Sequence, residues 1–209
     1  MTQPPSPSAP SDSARPGRLI VIEGIDGTGK TTLARLLADA LRESGREVVL
    51  SREPTDGPHG RRLRESARQG RHPRAEEEAA LFLADRRDHV ERLILPALRA
   101  GRWVVLDRYF YSTMAYQGAR GLDPAEIERS NRAFAPSPDL LVLLELPVED
   151  ALERIRSQRG TAPDHFEGRD YLEQVAKHFA AVEHPRLLRL DARLAPDQLL
   201  AEVMRALRD

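Results

Sequence analysis

The stretch Gly24-Ile25-Asp26-Gly27-Thr28-Gly29-Lys30-Thr31 constrains this chain more than any other, because it satisfies G-x-x-x-x-G-K-[ST] at every fixed position. Before it lies the apolar run Leu19-Ile20-Val21-Ile22, which reads as a buried strand. After it, Leu33, Leu36, Leu37, Ala40 and Leu41 recur at helical spacing, so a helix is predicted over 29–44, stopped by Gly45. Strand, glycine loop and helix in that order make an anion cradle. Glycines let backbone N–H groups turn inward, and the new helix adds free N–H groups and the positive end of its dipole. Lys30 is placed to bring a compact positive charge to the β- and γ-phosphates of a nucleoside triphosphate, and the Thr31 hydroxyl is placed to hold Mg²⁺. The chain has two lysines, Lys30 and Lys177, against thirty arginines, so an ammonium in the loop reads as a chemical requirement.

The 209 residues and 40% hydrophobic content suit one domain with one core. We expect residues 1–17, rich in Pro and Ser, to form a disordered tail without the apolar core of a secretory signal, and residues 18–209 to be the domain. Cysteine is absent, which excludes disulfides and thiol chemistry and suits a reducing interior. No apolar run reaches membrane-spanning length, and a net charge of −1 argues against coating nucleic acid; no membrane or nucleic-acid partner is expected.

Further strands are predicted at 47–51, 103–106, 140–146 and 186–190, with helices over 76–99, 110–118, 123–135, 147–159 and 170–183 and from Pro196 onward. Pro96 should kink or close the last turn of the 76–99 helix. Strands apolar on both faces and alternating with helices imply an α/β fold of the P-loop NTPase type, a five-stranded parallel sheet flanked by helices.

Arg52 closes the second strand, where open α/β sheets place function, and is equally readable as a solvated loop charge. The arginines of 60–74 read as a solvated helix face. Phe82, Asp85, Arg86 and His89 share one helix face; Phe82 as core and Arg86 paired to a nearby acid is the reading the residues favour over base recognition. Asp107 at the tip of the third strand reads as the second magnesium-side group, with Arg108 beside it bridging phosphates. Glu145 is either a buried-edge acid or part of the metal shell. Arg154, Arg156 and Arg159 feed a breaker-rich stretch from Gly160, which suits a lid at about 154–168 closing charge over phosphates.

With these pieces placed, nearly everything after the tail resembles the thymidylate kinase family. The resemblance rests on Ile22 to Thr32, Arg52-Glu53-Pro54, Leu81-Phe82-Leu83-Ala84-Asp85-Arg86, Asp107-Arg108-Tyr109, Ser112, Tyr116-Gln117-Gly118 and Asp164-His165-Phe166-Glu167. It implies transfer of the ATP γ-phosphoryl group to dTMP. Gly24, Ile25, Asp26, Gly27, Thr28, Gly29, Lys30, Thr31 and Thr32 would cradle ATP. Phe82 would stack on thymine and Arg86 and Gln117 would read its edge. Arg52 and Arg108 would hold the monophosphate, Asp26 would lie near the sugar hydroxyl and the metal, and Tyr116 would favour deoxyribose. Glu167 joins the substrate-binding set. Thr31, Asp107 and Asp26 would serve Mg²⁺, and Lys30, Asp107, Arg108 and the lid arginines would carry catalysis. Gly27 marks the type whose catalytic arginine lies in the lid. His165 stands where family lids commonly carry arginine; Arg154, Arg156 or Arg159 is expected to supply the charge, the alternative being activity that depends on His165 protonation. The resemblance also implies a homodimer, and a cytoplasmic location is expected. A kinase for another nucleoside monophosphate, or a non-catalytic nucleotide switch, are the alternatives.

Overall fold

The computed structural model describes residues 17–70, 73–159 and 168–208, apart from the side chains of 158 and 159. Glu167, His165, the Arg159 side chain and the first sixteen residues of the predicted tail therefore lie outside the described residues. Gly17 belongs to the folded body, since its N–H donates to the Leu98 carbonyl at 3.3 Å.

The central strand β1 (Leu19–Gly24) is buried along its whole length. On one side it pairs with β3 (Trp103–Asp107), which pairs with β2 (Val48–Arg52). On the other it pairs with β4 (Leu140–Glu145), which pairs with β5 (Leu187–Asp191). All four pairings are parallel, in the order β2-β3-β1-β4-β5. Ile20, Val21, Val104, Val105 and Val142 are fully buried because helices cover both faces of the sheet, which is why these strands read as unbroken apolar runs.

The helix α1 (Lys30–Glu43) packs on β1, β2 and β3 and against α9 (Pro196–Ala206). The opposite face carries α5 (Phe110–Gly118), which meets β1 and is flanked by α3 (Ala75–His89), α6 (Pro124–Arg132) and α8 (Arg169–Ala180). The remaining helices are α2 (Pro58–Arg68), α4 (Leu95–Arg99) and α7 (Val148–Arg159). Asp123 caps α6, its carboxylate accepting from the Ala125 N–H at 3.0 Å, with Pro124 following as the sequence suggests.

The stretch predicted as one helix over 76–99 is helical without interruption, but not α-helical throughout. Between α3 and α4, Val90–Ile94 widens into a π turn, with the Leu95 N–H bonded to the Val90 carbonyl. Pro96, in the first turn of α4, has no N–H to donate and its ring crowds the preceding turn. The disruption therefore falls upstream of the proline rather than in the helix's last turn.

Parallel register puts the strand ends that matter at one edge. Arg52 pairs in register with Asp107, and Asp107 with Ile22. The phosphate loop leaves β1 at this edge, so residues scattered over the sequence from 24 to 154 converge there.

Candidate active site

The phosphate loop ends in Gly29, whose left-handed backbone (φ 90°) precedes the first turn of α1, and no side chain caps that helix. The N–H groups at its start are thus left to a ligand. The Lys30 ammonium is buried and bonds the Ile25 carbonyl at 2.7 Å. Burial lowers its pKa to about 8, helped by the Arg108 charge and opposed by Asp26 and Asp107.

Across from Lys30, the Thr31 hydroxyl donates to Asp107 Oδ2 at 2.5 Å. The other oxygen, Asp107 Oδ1, is buried without a hydrogen-bond partner. A hydroxyl beside an orphaned carboxylate oxygen fits a hard cation that takes oxygen ligands. Among the described residues no cluster of three or more His, Cys, Asp or Glu is placed to hold a metal. Mg²⁺ needs no such cluster, because water and substrate phosphates complete its shell.

Arg108 stands at the pivot of the site. Its backbone occupies the left-handed region (φ 70°), uncommon for a residue with a side chain. The guanidinium pairs with Asp26, donates to Ser112 Oγ at 3.0 Å and lies 5.3 Å from the centre of the Tyr116 ring. Burial disfavours its charge, yet Asp26, then Tyr116 and Asp107, hold its pKa well above the ordinary arginine value. Beneath it, the buried Glu23 carboxylate accepts from the N–H groups of Tyr109 and Ser112 and from the Ser112 hydroxyl, at 2.8, 3.0 and 2.6 Å. Desolvation raises Glu23 to about 7 against those donors. Glu23 thus ties the start of α5 to β1 and, through Ser112, steadies Arg108.

Two adjoining cavities share Asp26, Glu53, Pro54 and Arg108. The first, about 510 Å³, is lined by Gly27, Gly29, Lys30, Thr31, Thr32, Arg52, Arg64 and Asp107. The second, about 390 Å³, is lined by Phe82, Arg86, Tyr116, Gln117 and Tyr171 among others. One chamber is polar and basic and the other aromatic, with the Asp26–Arg108 pair at the boundary.

Most of the predicted set meets here. Phe82 is half-buried against the aromatic chamber rather than sealed in the core. Arg86 also lines it, but is 1% exposed with its guanidinium engaged on three sides. It donates to Glu53 at 2.7 Å, to Asn131 at 2.7 Å and to Thr113 at 3.1 Å. The pairing with an acid that the residues favoured is present, in the bond to Glu53. Tyr116 hydroxyl both accepts from the Asp26 N–H at 3.1 Å and donates to Asp26 Oδ2 at 3.2 Å. Arg52 is exposed, makes a long contact of 3.4 Å to Asp56, and lines the basic chamber. Arg154 is half-buried and reaches the Gly27 carbonyl at 3.5 Å, whereas Arg156 is exposed. Glu145 is not a buried-edge acid: it is exposed and pairs with Arg189 at 2.6 Å, apart from the cavity that gathers Thr31 and Asp107.

The site also uses residues to which the sequence assigned no role. Arg64 departs from the solvated-face reading, since it donates to the Pro54 carbonyl and to Asp56 and lines the basic chamber. Its signal was the basic run, but spacing alone does not single out one arginine of six. Glu53 bonds both Arg86 and His89, and Asp85 holds the next loop through the N–H and hydroxyl of Thr55 at 2.7 and 2.6 Å. Tyr171, from α8, carries no local signal at all.

Residues 22–203 match the family model described as Thymidylate kinase. A protein called thymidylate kinase in Xanthomonas campestris pv. campestris is 54% identical over 186 residues, covering 89% of this chain and 81% of the relative. Another so called in Akkermansia muciniphila is 53% identical over 193 residues, covering 92% of each. The chain belongs to the thymidylate kinase family. The polar, basic chamber lies on the phosphate-loop side of the Asp26–Arg108 pair, and the aromatic chamber on the side of α3 and α5. No helix among the described residues is long and apolar enough to cross a membrane.

Proposed function

We propose that this chain transfers the γ-phosphoryl group of ATP to dTMP, giving ADP and dTDP. The observation that carries the reading is the pair of chambers joined at Asp26 and Arg108, one built for phosphates and one for a stacked base. The triphosphate lies over Gly24 to Thr32 with Lys30 at its β- and γ-phosphates. The pyrimidine lies against Phe82, its edge toward Arg86 and Gln117, its sugar beside Asp26 and Tyr116. The acceptor phosphate sits between Arg52 and Arg108, with Arg64 near at hand.

An oxygen of the dTMP phosphate attacks the γ-phosphorus in line as the bond to the β–γ bridging oxygen breaks, and ADP departs. The acceptor is already an anion, so no strong general base is needed. What the residues supply is position and charge. Lys30, Arg108 and the lid arginines meet the charge that spreads over the transferred group once water is excluded. Arg154 reaches the carbonyl of Gly27 in the loop, and is the one we assign to the transferred phosphoryl. Arg156, Arg159 and Glu167 join it on closure. Thr31 and Asp107, with Asp26 nearby, would hold Mg²⁺, which neutralises phosphate charge when bound. The working form is a cytoplasmic homodimer, testable by light scattering and by cell fractionation.

A coupled ADP-release assay with dTMP, dUMP, dCMP and dGMP tests the reading. Strong preference for dTMP is expected. Preference for another monophosphate would mark a different nucleotide kinase, and release with none would mark a nucleotide switch. In the same assay Lys30→Ala is expected to lose several orders of magnitude in turnover while still folding.

A further inference from the structure

At the far end of the aromatic chamber, three side chains from two elements and a loop close on one another. Gln117, in the last turn of α5, is 2% exposed and donates from Nε2 to Glu78 Oε2 at 2.7 Å. Arg120, just past α5, donates from NH1 to the same Glu78 oxygen at 2.5 Å and to Gln117 Oε1 at 3.3 Å. Its NH2 donates to the Pro73 carbonyl at 2.5 Å, ahead of α3. Glu78 stands in the first turn of α3, one turn before Phe82, and lines the chamber with Phe82 and Gln117.

The chemistry of these partners leaves the Gln117 amide one orientation. An ionised carboxylate only accepts, so the NH₂ end must face Glu78. A guanidinium only donates, so the carbonyl end must face Arg120. Turning the amide over would set NH₂ against Arg120 and the carbonyl against the carboxylate, breaking two bonds and replacing them with two repulsions. Because Glu78 and Arg120 pair with each other, each also holds the other in place.

We propose that Glu78 and Arg120 are positioning residues that lock the Gln117 amide, and so set which pyrimidine the chamber accepts. The proposal rests on the reading above that Gln117 faces the base edge. With NH₂ tied to Glu78 and one lone pair of the carbonyl oxygen accepting from Arg120, Gln117 offers the base the second lone pair of that oxygen, an acceptor. Thymine and uracil carry N3–H, a donor that matches it. Cytosine carries a bare N3 lone pair, which opposes it. The lock therefore separates dTMP from dCMP and is blind to the difference between dTMP and dUMP, which share N3–H.

Glu78→Gln keeps shape but puts an amide, donor and acceptor at once, where an acceptor stood, which frees Gln117 to turn over. kcat/KM would be measured for dTMP, dUMP and dCMP in the wild type and in Glu78→Gln, Arg120→Met and Arg120→Lys. The expected result is a fall of about tenfold or more in the dTMP-to-dCMP ratio for Glu78→Gln and Arg120→Met. The dTMP-to-dUMP ratio should hold, and Arg120→Lys, still a donor, should keep most of the discrimination. A wild type without preference for pyrimidines bearing N3–H would sink the parent reading, and this proposal with it. A wild type with that preference, whose ratios survive in both Glu78→Gln and Arg120→Met, overturns the lock alone. So does a parallel loss for all three nucleotides, the mark of a merely structural pair. If one variant fails to fold, the other carries the same test.

Discussion

A Cβ added to Gly27 would stand 2.7 Å from the carbonyl oxygen of Ala151, so the phosphate loop and the root of α7 touch backbone to backbone. Arg154, one turn further along α7, reaches back to the Gly27 carbonyl. The helix that carries Arg154 and Arg156 is therefore seated on the phosphate loop. A side chain at Gly27 would pry the two apart, which gives a steric reason for the loop to carry no arginine of its own.

Gly27→Ala tests this seating. The residue has φ 83°, so alanine is strained there as well as crowded. We expect a loss of roughly 1–3 kcal/mol in stability by denaturant titration. Weakened ATP binding should accompany it, because α7 can no longer rest where Arg154 meets the loop. Unchanged ATP affinity would show that the contact is incidental.

Asp107→Asn tests the metal side. Asparagine keeps an acceptor for the Thr31 hydroxyl but removes the charge on the orphaned oxygen. Turnover should fall by roughly 10²–10³-fold, and the Mg²⁺ concentration for half-maximal rate should rise. Chelation of Mg²⁺ should abolish turnover in the parent protein. A variant with altered rate but unaltered Mg²⁺ dependence would remove Asp107 from the metal's shell.

Lys30 predicts a pH dependence that differs between free and ATP-bound protein. Burial lowers its pKa from 10.5 to about 8, so in the free protein its charge is present below that pH and lost as pH rises through it. kcat/KM for ATP, which reports the free enzyme, should decline above about pH 8. Bound phosphates restore the charged form, so kcat at saturating ATP should stay level through the same range. Parallel decline of both would assign the titration elsewhere.

Glu53 joins Arg86 and His89 beneath the aromatic chamber, and its side chain is 3% exposed. Glu53→Ala would leave the Arg86 guanidinium buried without its carboxylate. Loss of one partner of such a pair costs about 3–5 kcal/mol. Thermal unfolding should show a large drop in Tm, and dTMP affinity should weaken with it. A drop confined to stability would mean that Arg86 keeps its place through Asn131 and Thr113 alone.

The elements themselves were legible because their signals are local. The boundaries 110–118 of α5 and the opening of α9 at Pro196 match the predicted ones, and strand ends shift by no more than two residues. Each such element is specified by neighbours three, four or two residues away. The π turn at Val90–Ile94 escaped this reading because a proline's effect on the turn before it depends on how the backbone relaxes, and apolar spacing does not encode that. Arg86 shows the same division: an acid partner was foreseeable in kind, but its identity as Glu53, thirty-three positions away, was not.

By itself the sequence determined the phosphate loop, the parallel α/β order and the family, because each is written in contiguous residues or in their period. Only the tertiary structure decided which charges meet. Asp26 is eighty-two positions from Arg108, and Thr31 seventy-six from Asp107. Those meetings are set by parallel register, which lays strand ends side by side irrespective of the chain between them. The packing of α3 against α5 brings Glu78 and Gln117, thirty-nine positions apart, to a hydrogen bond, and with it sets the orientation of an amide that no local pattern records.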